Sequence, residues 1–217
     1  MRFYIKSCRL SYTKTLFTAE RAKGQTEGTP KFSVACIIEP STLGFAGDAN
    51  PESPSGQAKG YKYGDFKSEL SKAIVEAANG RWGAKAMDVL AQLKAQNRLP
   101  LHDGAEKGTT PGYAGNLYIN ASNEIRPQVR HKNGAQLQQS DGVIYSGCYA
   151  DVVVDIWAMD NQWGKRVNAS LLGVVFSHDG EKLAGGSTAT EDDFAPPAKS
   201  EVEKAAATGN GAAGLFA

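Results

Sequence analysis

The chain has 217 residues, 41% hydrophobic and 22% charged, enough for one sizeable core and ordinary for a globular protein that folds in water. No apolar run is long enough to cross a bilayer and MRFYIKSCRL (1–10) lacks a signal-peptide core, so no membrane role and a cytoplasmic location are expected. The net charge of +1 hides an asymmetry: residues 1–132 carry 19 Lys and Arg against 12 Asp and Glu, and residues 133–217 carry 5 against 11. A basic first part before an acidic remainder suits an anionic partner whose binding is limited by the protein's own tail.

RFYIKSCRLSYT (2–13) alternates loosely and predicts a strand. FTAERAKGQTEGTPK (17–31) has the Gly and Pro breaks of a loop, and KFSVACIIE (31–39) is a second strand with Phe32, Val34, Cys36 and Ile38 on one face. Residues 40–64 are rich in Pro, Gly and Ser and form a long connection. Asp65 caps a predicted helix over 66–80, with Phe66, Leu70, Ile74 and Ala77 at helical spacing and Gly80 as its stop. A second helical pattern over 84–96 puts Met87, Leu90 and Leu93 on one core-facing stripe.

Strands resume over 112–123, 124–133 and 142–159. After the turn at 160–167 the chain returns over 167–178, and HDGEK (178–182) is a turn of the Asp-Gly kind. The remainder, 187–217, is mildly acidic and then Ala/Gly-rich, with no pattern that builds a core; a disordered tail is expected. The order predicts a mainly β fold with a helical insertion at about 65–96, an OB-fold-like five-stranded antiparallel barrel spanning 1–186.

Catalytic signals are sparse. Three histidines (His102, His131, His178) stand in polar, loop-like contexts without metal-ligand spacing, and no nucleophile elbow, P-loop or zincin motif occurs. Asp151 and Asp155 share a strand face, which a Mg²⁺-dependent nuclease could use. Two solvated or cation-paired carboxylates are the simpler reading, because no further acidic cluster accompanies them. Cys8, Cys36 and Cys148 fall among apolar neighbours in predicted strands and read as buried free thiols. The expectation is a protein without catalysis, metal or cofactor.

A binding surface has more support. In YAGNLYINA (113–121), Leu117 and Ile119 turn to the core, so Tyr118 turns away from it. In YSGCYADVVVDIWAMDN (145–161), Ile144, Cys148, Ala150, Val152, Val154 and Ile156 take the core face and leave Tyr145, Tyr149 and Trp157 on the other. Arg126, Arg130 and Lys132 supply a cationic strand, and Lys107 follows a turn at HDG (102–104). Rings beside cations suit unpaired nucleotides: bases stack at about 1–3 kcal/mol each while Lys and Arg track the phosphates. The competing structural readings are amphipathic packing for the tyrosines, a place under the helices for Trp157 and a solvated edge for the strand beside Pro127.

WG (82–83), LPLHDGAEK (99–107), YAGNLYINA (113–121), RP (126–127), YSGCYADVVVDIWAMDN (145–161), GV (173–174) and DGEKLAGG (179–186) follow in order. As an ordered set they resemble the bacteriophage family of single-stranded DNA-binding proteins, over roughly residues 1–195. The resemblance implies an OB-fold core, sequence-independent binding of single strands in phage DNA replication, recombination or repair in the host cytoplasm, and replication proteins as partners of the C-terminal tail. It departs at the end: such proteins often close an acidic tail with an aromatic, whereas here Phe216 is penultimate. A strand-annealing recombination protein and a non-enzymatic virion or assembly protein are the alternatives.

Overall fold

Five long strands carry the architecture of this computed structural model: β1 (Arg2–Ser11), β2 (Phe32–Ile38), β5 (Leu117–Asn123), β7 (Tyr149–Asn161) and β8 (Gly164–His178). Three short strands join them: β3 (Ala46–Gly47), β4 (Leu101–Asp103) and β6 (Gln128–Arg130). The structure describes residues 1–21, 24, 26–39, 46–47 and 65–183, so the tail expected at 187–217 and most of the 40–64 connection lie outside the described residues.

The sheet order is β4-β5-β2-β1-β7-β8-β6, with β3 also pairing β1. All pairings among the five long strands are antiparallel, whereas β6 runs parallel to β8. The sheet curls until β5 meets β8. There the Asn123 side-chain amide donates to the Leu171 carbonyl at 2.9 Å, without a strand ladder along the seam. In order of the long strands, the first pairs with the second and fourth, the third with the second, and the fifth with the fourth; the open seam lies between the third and the fifth. This is the mainly β, OB-like fold expected, with three short additions.

Alternation along each long strand fills the interior. Phe3, Ile5, Cys8 and Leu10 from β1 meet Val34, Cys36 and Ile38 from β2. Ala150, Val152, Val154 and Ile156 from β7 meet Val167, Ala169, Leu171 and Val174 from β8. All three cysteines are free and buried, as their apolar neighbours require.

The helices cover one side of this core. α2 (Phe66–Trp82) is capped by the Asp65 carboxylate, which accepts from Ser68 N at 2.9 Å, and it buries Phe66, Leu70, Ala73, Ile74 and Ala78. Phe66 meets Phe3 edge-on, centroids 5.9 Å apart. Here α1 is the single turn Lys14–Phe17, and α3 is Ala86–Ala95.

Several boundaries differ from expectation. Gly80 does not stop α2, which runs two residues further to Trp82. The break comes at Gly83, whose φ of +53° lies outside the helical region and opens a 3₁₀ turn into α3. In α3 the buried stripe is Ala86, Val89, Leu90 and Leu93; Leu90 and Leu93 face the core as expected, but Met87 lies off that stripe and is 62% exposed. The turn read at HDG (102–104) is the end of β4, paired with β5, and the start of a 3₁₀ turn over Gly104–Lys107. The strand expected from 142 begins at Tyr149, so Tyr145 precedes it. Asp151 accepts from the Tyr4 hydroxyl (2.7 Å) and Ser7 N (2.8 Å), and Asp155 pairs with the terminal ammonium at 2.8 Å, so each carboxylate has partners within the fold.

Candidate nucleic-acid interface

Register carries one row of outward-facing side chains across the curled sheet. His102 stands opposite Tyr118, Tyr118 opposite Ile37, Ile37 opposite Arg9, Arg9 opposite Tyr149, and Tyr149 opposite His178. The two ends are ring stacks: His102 on Tyr118 at 5.1 Å and His178 on Tyr149 at 4.5 Å. Neither histidine is the loop residue its sequence context suggested; each lies in a strand facing a tyrosine. Burial holds the His102 imidazole below its ordinary pKa, partly offset by Glu106, so it is neutral at pH 7.

Between the stacks the row is covered. Tyr118 is 4% exposed and shares a small outer cluster with Ala35, Ile37, Tyr113 and Leu183. The segment 179–183 lies across the sheet here. The Arg9 guanidinium donates to Glu181 O at 2.6 Å and Gly147 O at 3.3 Å, and Leu183 N donates to Ser146 O at 2.9 Å. Gly147, with φ +118°, is where the strap crosses closest: a Cβ there would run into the Glu181 carbonyl. The backbone that approaches Gly147 is thus the chain's own, at Glu181 and Lys182.

The sequence-derived candidates fall into separate places. Tyr145 is half-buried, and its hydroxyl is tied to the Asp179 carboxylate (3.0 Å) and Gly180 O (2.9 Å). Tyr149 is half-buried under the strap, its hydroxyl donating to Glu39 at 2.8 Å. Asp103 accepts from Ala105 N and starts the 3₁₀ turn that sets Lys107 over the rings of Tyr118, Tyr12 and Tyr113, at 5.1, 5.9 and 5.9 Å. Arg126 donates to Gln138, and Arg130 and Lys132 flank the end of β6, at the opposite end of the sheet order from Lys107. Trp157 is not under the helices: it is 40% exposed on β7, with its indole N–H on Ser170 at 2.8 Å.

Trp157 belongs to a second surface that sequence reasoning did not assemble. On the β7–β8 hairpin Trp157 faces Asn168 and Met159 faces Arg166, with Trp163 71% exposed at the tip. Arg166 lines two clefts. One, of about 350 Å³, lies along the β5–β8 seam and is lined by Arg98, His102, Asn120, Ser122 and Asn168 among others. The other, of about 690 Å³, lies between the hairpin and the Gly24–Gly28 stretch of the β1–β2 connection, with Met159 and Trp163 in its wall. Tyr118 and Asn120 share the outer face of β5, so the covered row runs on into the seam cleft. OB-folds bind oligonucleotides on the outer face of their second and third strands, between the first and last hairpin connections. In this chain those are β2 and β5, the 12–31 connection and the turn at Trp163. Trp163 and Arg166 carried the available signals, an aromatic in a hairpin turn and a cation at period two from Asn168.

Comparison with known proteins bears on the family and the fold. The family model described as the Enterobacter phage Enc34 ssDNA-binding protein matches residues 59–206. A curated relative, "Putative protein p50" of Acyrthosiphon pisum secondary endosymbiont phage 1, is 38% identical over 142 residues, 64% of this chain and 76% of the relative. Among solved structures, the single-stranded DNA-binding protein of bacteriophage Enc34 in complex with ssDNA is similar with a TM-score of 0.62 at 22% identity, covering 84% of this chain and 89% of that one. Its C-terminal truncation gives a TM-score of 0.59 at 22% identity, covering 83% and 87%. At that identity the structures speak for the shared fold, while the family model, matching more than half of the chain, decides membership: the chain belongs to the Enc34 phage ssDNA-binding protein family.

Proposed function

We propose that this protein binds single-stranded DNA without reading its sequence, serves phage DNA replication, recombination or repair, and performs no catalytic step. The observation that carries the reading is the hairpin surface of an OB-like sheet: exposed Trp163 shares a cleft with Arg166, which also lines the seam, and exposed Trp157 lies further along the same hairpin. Unpaired bases stack on the tryptophan rings, while arginine and lysine follow the phosphates. The strand runs along the outer face of β5, between the Gly24–Gly28 stretch and the Trp163 turn. Lys107 extends the positive side at β4, and Arg126, Arg130 and Lys132 extend it beyond β8. Tyr118, Tyr145 and Tyr149 contribute by shaping the sheet under the strand, with at most a ring edge open to a base. Replication proteins are the expected partners of the tail.

The test is a titration of intrinsic tryptophan emission with poly-dT, duplex DNA and RNA at two salt concentrations. Poly-dT quenches the emission at micromolar protein or below, and added salt weakens binding as counterions are released. Equal affinity for duplex and single strand would remove stacking as the basis of binding. A stable high-order assembly with no affinity for oligonucleotides would favour the virion-protein alternative instead.

A further inference from the structure

The seam cleft has a chemistry of its own. Its walls hold two arginines, Arg98 and Arg166, with Asn97, Asn120, Asn168 and His102, and among the described residues no carboxylate lines it. Neither arginine has a carboxylate partner among the described residues. Other cations of the fold do: Lys165 with Asp160, Lys14 with Glu20, Arg9 with Glu39. Arg166 Nε and Asn168 Nδ2 are buried without an acceptor. Arg98 rests its Nη1 against Gly164, where a Cβ would collide with it, and makes one long contact, 3.5 Å, to Lys165 O.

Arg166 is half-buried with a free buried donor, and Arg98 is exposed beside it. A half-buried guanidinium lowers its energy by acquiring an acceptor, and a charged acceptor does so most. The two guanidinium groups are cations and the buried Arg166 Nε and Asn168 Nδ2 are donors, so an anionic acceptor gains more here than an amine, which only the asparagine carbonyls could accept. His102, neutral at pH 7, adds no competing charge. The volume suits one nucleotide unit better than a bare ion.

We propose that the β5–β8 seam cleft is a phosphate seat, in which Arg98 and Arg166, brought together at the start of β8, hold one phosphodiester of the bound strand. The inference rests on the single-stranded DNA reading and fixes which part of the strand meets this cleft. The linkage is held by its charge, and its base is left to the tryptophans of the hairpin. Arg166, shared by both clefts, couples the two contacts.

The test uses the full chain and a 5′-hydroxyl dT oligonucleotide, so that the charge sits on internal linkages, beside the same oligonucleotide with uncharged methylphosphonate linkages. Arg166→Gln and Arg98→Gln each weaken binding of the charged strand and make the slope of log Kobs against log salt shallower by about 0.7. Arg166→Lys keeps the slope and loses part of the affinity, because an ammonium lacks the planar fork. On the methylphosphonate strand Arg166→Gln and the unsubstituted protein bind alike. A loss in Arg166→Gln that persists on the uncharged strand, or a changed preference between dT and dA at constant slope, overturns the phosphate seat in favour of base contact. If Arg166→Gln does not fold, Arg98→Gln decides by the same criteria. Failure of the unsubstituted protein to bind the charged strand would instead overturn the single-stranded DNA reading itself.

Discussion

The Tyr149 ring lies flat on the His178 imidazole, centroids 4.5 Å apart and planes within 9° of parallel. The stack joins the first residue of β7 to the last of β8. The Tyr149 hydroxyl reaches on to Glu39 at the end of β2, so one side chain ties three parts of the sheet. Gly180 of the strap passes close over the same ring, leaving no room for a Cβ.

Tyr149→Ala therefore acts on the fold. It removes a half-buried ring, a stack and a hydrogen bond, and should lower unfolding free energy by about 2–4 kcal/mol, read from the urea midpoint. The folded variant retains most of its affinity for oligo-dT. A loss of affinity with unchanged stability would restore Tyr149 as a base platform.

The tryptophans of the hairpin should behave in the opposite way. Trp163→Ala and Trp157→Ala change stability little, since both rings are exposed, but each costs about 1–3 kcal/mol of single-strand affinity. Fluorescence anisotropy of labelled oligo-dT, with thermal unfolding run in parallel, separates the two effects.

Gly147→Ala probes the strap. The new methyl group meets the Glu181 carbonyl at a φ of +118°, a conformation L-residues avoid, so the strap must lift or the backbone must move. A loss of about 2–4 kcal/mol is expected, with faster amide exchange at Leu183, whose N–H bonds Ser146 O. Stability equal to that of the unsubstituted protein would mean the strap is loosely held.

Tyr113 links the outer cluster to alkaline pH. Its ring is fully buried, and although Ser11 is near, its hydroxyl has no partner of good hydrogen-bonding geometry. Burial above all pushes its phenol up to about 12, against about 10 in the unfolded chain. A raised folded pKa leaves its contribution intact below pH 10 and removes it as pH rises towards 12, on the order of 2–3 kcal/mol in all. Tyr113→Phe should match the unsubstituted protein at pH 7 to within about 1 kcal/mol and lose less stability between pH 10 and 12. Identical alkaline titrations of unfolding would refute the assignment.

By itself the amino-acid order determined what depends on neighbours in the chain. Period-two alternation in β2, β5 and β7 indicated which residues face the core, Asp65 fixed the start of α2, and the family motifs pointed to the fold. It placed Tyr118, Tyr149 and Trp157 away from the core correctly, because a strand's pleat sends alternate side chains to opposite faces. What covers that outer face was decided by tertiary structure. The strap at 179–183 closes over Tyr149, and Leu183 and Tyr113 close over Tyr118, through contacts between residues far apart in the chain. Curling of the sheet likewise brought Arg98, Asn120 and Arg166 to one seam, from segments that share no local pattern. A pleat is a local property of the backbone; burial of its outer face depends on which distant segment folds over it.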